Sequence, residues 1–275
     1  NVLPDSYINP LPMNLGFLDV FGPYTAACQG DFDRLFVPFR AVASNIYEKT
    51  AVIFSSGDLG DAVRASMTFP LVFKPLEIDS IPLFDGGIYN NFPVDIMKED
   101  FAPDIIIGSN VTKEKKSNIA KKDLIGQIET MVMQETNYHI SEETGIAIYT
   151  DLHKYELLDF PKADEIMKIG YENALTYIEQ IKARVKREET PEERKNKREK
   201  FKQKVPPLIF DKIEITGTQS NRVKNYIARQ FDLREGDALN IDDVKKAYYT
   251  LLSDTRLPDQ RHHTRTHDTP KKDAC

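Results

Sequence analysis

The chain predicts an α/β core followed by a smaller α+β unit, and three observations point there. Between residues 35 and 112 short apolar runs of strand length alternate with one segment of helical period, as in a sheet covered by helices. From Lys186 to Lys204 the chain is almost wholly charged, with Pro191 as the single break, so a solvated helix or linker separates two folded regions. Beyond it, a strand-like run precedes two amphipathic helical segments joined by a turn. A length of 275 residues with 40% hydrophobic content suffices for one substantial core and one small one.

Taken in order, residues 1–34 interleave Pro4, Pro10, Pro12 and Pro23 with apolar patches such as Leu15 to Phe21, and read as short helices of a variable, lid-like insertion. Strands are expected at Phe36 to Ala43, Thr50 to Phe54, around Leu83 and at Asp104 to Ser109, with a helix from Leu59 to Met67. Residues 113–186 read as mostly helical. They open with an exposed connection rich in lysine (Lys113, Lys115, Lys116, Lys121, Lys122), after which Leu124, Ile128, Met131 and Val132 fall at helical spacing, and they close with an amphipathic helix from Ala163 to Val185. After Val205, Ile213 and Ile215 alternate in a strand closed by Gly217, and Val223, Tyr226, Ile227 and Phe231 take helical spacing. Gly236-Asp237 then marks a turn before a second helix through Val244, Ala247, Tyr248, Leu251 and Leu252. Residues 257–275, with Arg261-His262-His263-Thr264-Arg265-Thr266-His267, have no apolar period and read as a disordered or non-native tail. The expected divisions are 1–186, 187–204, 205–256 and 257–275.

The chemistry concentrates in residues 82–94, Pro-Leu-Phe-Asp-Gly-Gly-Ile-Tyr-Asn-Asn-Phe-Pro-Val, where an apolar strand delivers Asp85 into a turn backed by Gly86 and Gly87. On its own this admits a purely structural reading, an Asp-Gly turn with positive φ between two buried strands. The context adds a second reading. Val37-Pro38-Phe39-Arg40-Ala41-Val42-Ala43, the run from Gly57 to Ser66, Pro70 and Pro75, and Asp85-Gly86-Gly87 with Asn91 and Pro93 occur in that order, and together resemble the patatin-like acyl hydrolases. The resemblance spans about Leu35 to Asn110 and continues more loosely through Tyr149 to Leu152, Leu158 to Phe160 and Ala163 to Tyr171. It implies a three-layer α/β core, a lipid or ester substrate, and a serine paired with one aspartate. In that dyad Asp85 is the orienter and general base, and Gly86 and Gly87 are the turn residues.

The serine of that dyad is the missing part. No Gly-x-Ser-x-Gly occurs in the 275 residues, and Phe54-Ser55-Ser56-Gly57 and Gly108-Ser109-Asn110 lack the flanking glycines a nucleophile elbow requires. The expectation is a core incomplete at its N-terminus, with the nucleophile supplied upstream and this chain inactive by itself. Loss of an acyl-transfer nucleophile costs about a million-fold in turnover. An aspartate with a pKa of about 3.9 is also a poor base unless burial raises it. Ser66 reads as a small packing residue and Asp104 as the solvated start of a strand. The five histidines, His139, His153, His262, His263 and His267, have no partner spacing for catalysis. No ligand cluster implies a metal, and no cofactor is expected.

Residues 205–256 resemble part of a POTRA module, the polypeptide-transport-associated domain found beside outer-membrane β-barrels, on the strand-helix-turn-helix order and the Gly236-Asp237 turn, with the module's closing strands missing. That resemblance implies a bacterial cell envelope location and a barrel in the same parent chain. A net charge of −6 and a pI near 5.5 argue against nucleic acid as a partner. Two cysteines, Cys28 and Cys275, give no disulfide framework. Two functions are compatible with these readings: a patatin-like lipid acyl hydrolase, or a non-catalytic envelope docking or scaffold module.

Overall fold

The structure, a computed structural model, describes residues 8–112, 131–134, 136–156, 159–186, 188–233 and 237–254. Lys113, Lys115, Lys116, Lys121, Lys122, Leu124, Ile128, Leu158, Gly236 and the tail 257–275 lie outside the described residues.

The first segment forms one helix, α1 (Leu11–Cys28), where the prolines had suggested several short ones. Pro12 sits in the first turn, where its missing N–H is an orphan anyway, and the helix continues through Pro23 to a left-handed cap at Gln29. Four antiparallel strands follow, β1 (Ala41–Asn45), β2 (Thr50–Phe54), β3 (Leu76–Ile78) and β4 (Ile81–Asp85), in the order β2-β1-β4-β3. Every residue of β1 is buried. The strand starts at Ala41 and not at Phe36, because the preceding residues wrap a 3₁₀ turn at Phe32–Arg34 and the Phe39 N–H returns to the Phe32 carbonyl. Helix α2 (Leu59–Ser66) is N-capped by Asp58, whose Oδ1 accepts the Asp61 N–H at 2.9 Å, and lays Ala62 and Ala65 against the sheet.

Helix α3 (Val94–Phe101) leads into β5 (Ile106–Asn110), which pairs in parallel with β6 (Gly145–Tyr149). The closing helix is split at Tyr177 into α4 (Ala163–Thr176) and α5 (Ile178–Arg184). Arg184 ties it back through the Gly145 and Glu143 carbonyls at 2.8 and 2.9 Å. The charged stretch forms α6 (Pro191–Lys202), opened by a capping box between Thr190 and Glu193, and its Phe201 ring meets Tyr24 and Phe36.

The C-terminal unit has β7 (Ile209–Phe210) antiparallel to β8 (Leu239–Asn240), with α7 (Asn221–Phe231) and α8 (Ile241–Leu252). Ile213 and Ile215 lie beyond the end of β7, and Ile213 packs from irregular chain against the unit's core. That core is shared with α1: Leu11, Leu15 and Leu18 cluster with Leu239, Val244 and Tyr248. The Tyr248 hydroxyl donates to the Leu11 carbonyl at 3.0 Å, and Lys245 pairs with Asp19 at 2.6 Å. The chain is thus a mixed α/β structure, consistent with a patatin-like fold. Among the described residues a POTRA module is not shown.

Candidate active site

Strand β4 ends at Asp85, opposite Ala43 of the fully buried β1. Its N–H donates to the Thr68 carbonyl at 2.9 Å, and its Oδ1 accepts the Gly87 N–H at 2.8 Å, capping a 3₁₀ turn over Gly86–Ile88. Oδ2 has no hydrogen-bond partner among the described residues. The turn leads into α3 and not into a second strand, so the hairpin reading of Asp-Gly does not hold.

The two glycines serve space and not handedness, since neither adopts positive φ. A Cβ on Gly86 would lie 2.1 Å from the Val42 carbonyl oxygen. One on Gly87 would lie 2.5 Å from Met133 Cε, 2.6 Å from Asn91 Oδ1 and 3.0 Å from Asp85 Oδ1. Close backbone approach behind a carboxylate is what glycine alone permits.

Asp85 is half-buried, and removal from water pushes its carboxyl up from the ordinary aspartate value while the Gly87 N–H pulls it partly back. That is the direction a carboxylate base needs. Met133, Gln134 and Tyr138 pack over the turn: Met133 Cε faces Gly87, the Gln134 N–H reaches the Ile88 carbonyl at 3.0 Å, and Asn91 Nδ2 donates to the Tyr138 hydroxyl at 2.9 Å. Sequence reasoning missed Met133 and Tyr138, which arrive from more than 40 positions away with no local signal. Thr68 was within reach, since it lies between Ser66 and Pro70, both of which supported the resemblance.

Among the described residues no hydroxyl, imidazole or thiol hydrogen-bonds the Asp85 carboxylate. Ser66 ends α2 half-buried, while Ser55 is exposed just after β2 and Ser109 is exposed on β5. Asp104 is exposed ahead of β5, as a solvated strand start should be. His153 Nδ1 lies 2.8 Å from Asp151 on an exposed loop after β6. Among the described residues no three metal-ligating side chains gather, and no helix is long and apolar enough to cross a membrane.

With this geometry in view, residues 6–98 match the profile of the patatin-like phospholipase family. An uncharacterized NTE family protein of Mycobacterium tuberculosis is 36% identical over 76 residues, 28% of this chain and 19% of the relative. Lysophospholipase nte1 of Aspergillus terreus is 26% identical over 223 residues, covering 70% of this chain and 14% of the relative. The patatin-like phospholipase domain-containing protein 7 of Mus musculus is 23% identical over 177 residues, 54% of this chain and 13% of its own. The chain therefore spans less than a fifth of the length of these relatives. The matches support the patatin-like phospholipase expectation and include lysophospholipases, which are hydrolases. They lend nothing to a POTRA module, an outer-membrane parent or a barrel partner.

Proposed function

We propose that this chain carries the carboxylate half of a lipid acyl hydrolase, with Asp85 as the single partner of a serine nucleophile. The observation that carries this is the Asp85 carboxyl itself: half-buried at a strand end, held by one oxygen on the Gly87 N–H, with Oδ2 left to receive a hydroxyl proton. The segment match and the lysophospholipase relatives supply the substrate class, an ester of a lipid.

In the reaction Asp85 takes the serine proton as the oxygen attacks the ester carbonyl. It returns that proton to the departing alcohol, leaving an acyl-serine. Asp85 then deprotonates water, which attacks the acyl carbonyl, and the protonated carboxyl gives its proton back to the serine oxygen as the fatty acid leaves. Burial suits both halves, because a carboxyl raised toward neutrality holds and releases a proton more readily at working pH.

No segment of the 275 residues has the Gly-x-Ser-x-Gly elbow, so the serine is assigned to sequence outside them and the isolated chain is expected to be inactive. Its absence is also the one observation favouring the scaffold reading, in which the α/β unit docks without catalysing. Hydrolysis of a short-chain nitrophenyl ester and of a lysophospholipid separates the two. The assay compares the isolated chain with a polypeptide joining it to a Gly-x-Ser-x-Gly segment of the same parent reading frame. Turnover in the joined form alone supports the hydrolase, whereas a folded but inactive joined form supports the scaffold.

A further inference from the structure

Arg64 sits on α2 with only 3% of its surface exposed, although an arginine on a short amphipathic helix is expected to face water. Its guanidinium holds three hydrogen-bond acceptors. Nε donates to Asn14 Oδ1 of α1 at 3.2 Å, one terminal nitrogen donates to the Thr68 hydroxyl, and the other donates to the Lys74 carbonyl at 3.0 Å. The cation also lies over the Phe73 ring, 5.1 Å from its centre. Burial lowers its pKa to about 10, with Asp61 acting in the opposite direction, so it stays charged at neutral pH.

The bond to Thr68 matters for the site. Thr68 is fully buried, its hydroxyl donates to the Arg64 carbonyl at 2.7 Å, and its own carbonyl receives the Asp85 N–H at 2.9 Å. Residues 67–75 have no regular structure before β3 and include Leu71 at φ +65°. A segment of that kind needs fixed points, and Arg64 supplies them at both ends through Thr68 and the Lys74 carbonyl. The charged donor makes these bonds stronger than neutral ones.

We infer that Arg64 is a positioning residue for Asp85, acting through Thr68 to fix the loop carbonyl on which the Asp85 backbone hangs. The inference rests on Asp85 being the dyad carboxylate, as proposed above, but the link from Arg64 to Asp85 is measurable without any activity. The test is amide hydrogen exchange on the 275-residue chain, comparing the parent with Arg64→Gln, Arg64→Lys and Thr68→Val.

Exchange at the Asp85 amide is expected to quicken by about tenfold or more in Arg64→Gln and Thr68→Val, the order expected for losing a bond to a charged donor. Arg64→Lys, which keeps the charge and can reach one of the three acceptors, should restore part of the protection. The amides of the β1–β2 ladder should hold their rates throughout. Unchanged exchange at Asp85 overturns the inference, and so does an equal rise at Asp85 and in the β1–β2 ladder, which would mark general loosening. Should Arg64→Gln fail to fold, the near-isosteric Thr68→Val decides by the same criterion. A failed link with an Asp85-dependent hydrolase would sink this inference alone. An intact link with activity independent of Asp85 would sink the dyad and leave only a structural clamp.

Discussion

Replacing Gly86 by alanine tests how the turn behind Asp85 is built. The new Cβ would stand 2.1 Å from the Val42 carbonyl oxygen and 2.6 Å from its carbon, so the clash is with backbone and no rotamer relieves it. A tolerable contact requires β1 and the turn to separate by about 1 Å next to the Ala43–Asp85 pair. Overpacking of this kind costs about 1–3 kcal/mol, and the rigidity of a fully buried β1 places Gly86→Ala at the upper end. Gly87→Ala differs, because its overlaps are with the ends of the Met133, Asn91 and Asp85 side chains, which can move. It should cost about 1 kcal/mol in stability while displacing the carboxylate. Urea unfolding followed by circular dichroism reads both. With a slope of about 1–3 kcal/mol per molar, the Gly86→Ala midpoint should fall by roughly 1 M or more. In the serine-bearing polypeptide, a displacement of Asp85 by about 1 Å should lower turnover on the order of 100-fold in either variant. A Gly86→Ala protein within about 0.5 kcal/mol of the parent would refute the close-approach reasoning.

Asp85→Asn should alter the pH dependence of stability. Because the folded carboxyl is raised above the ordinary value of 3.8, both states hold the proton below that pH, and the unfolded state releases it first as pH rises. The parent therefore loses stability as pH rises through the window between the two values, and Asp85→Asn should gain on it as pH rises above the ordinary value of 3.8, with no gain at the acid end. A pH-independent difference in unfolding midpoint would contradict this. Leu15→Ala removes a side chain 1% exposed in the cluster shared by α1 and the C-terminal unit, and should cost about 2–5 kcal/mol. A single two-state transition in urea should persist, with loss confined to either region counting against the shared core. Ser66→Ala in the serine-bearing polypeptide should leave ester turnover unchanged, and its abolition would make Ser66 the nucleophile.

Local pattern made much of this fold legible. Strand β2 lies where five apolar and β-branched residues place it, and α2 ends one residue before the expected Met67. Asp85 was legible because everything that marks it, apolar strand, two glycines and Asn91 with Pro93, lies within ten positions. Features set by distant partners were not. The need for Gly86 comes from Val42, and Met133 and Tyr138 reach Gly87 and Asn91 from more than 40 positions away. Helical spacing would turn Arg64 outward, and only Asn14, Thr68, Phe73 and the Lys74 carbonyl make its burial tolerable. The Ile213 and Ile215 alternation suggested a strand, but β7 has paired only Ile209 and Phe210 with β8. The prolines of α1 looked like breaks because their tolerance depends on where in a helix they fall.

The role of Asp85 as the dyad carboxylate is decided by the turnover of Asp85→Asn in the serine-bearing polypeptide, measured on a short-chain ester beside its unfolding midpoint at about pH 7. A fall of several powers of ten, on the order of 10⁴-fold, is expected in a protein at least as stable as the parent. Unaltered turnover in a folded Asp85→Asn protein would contradict that role.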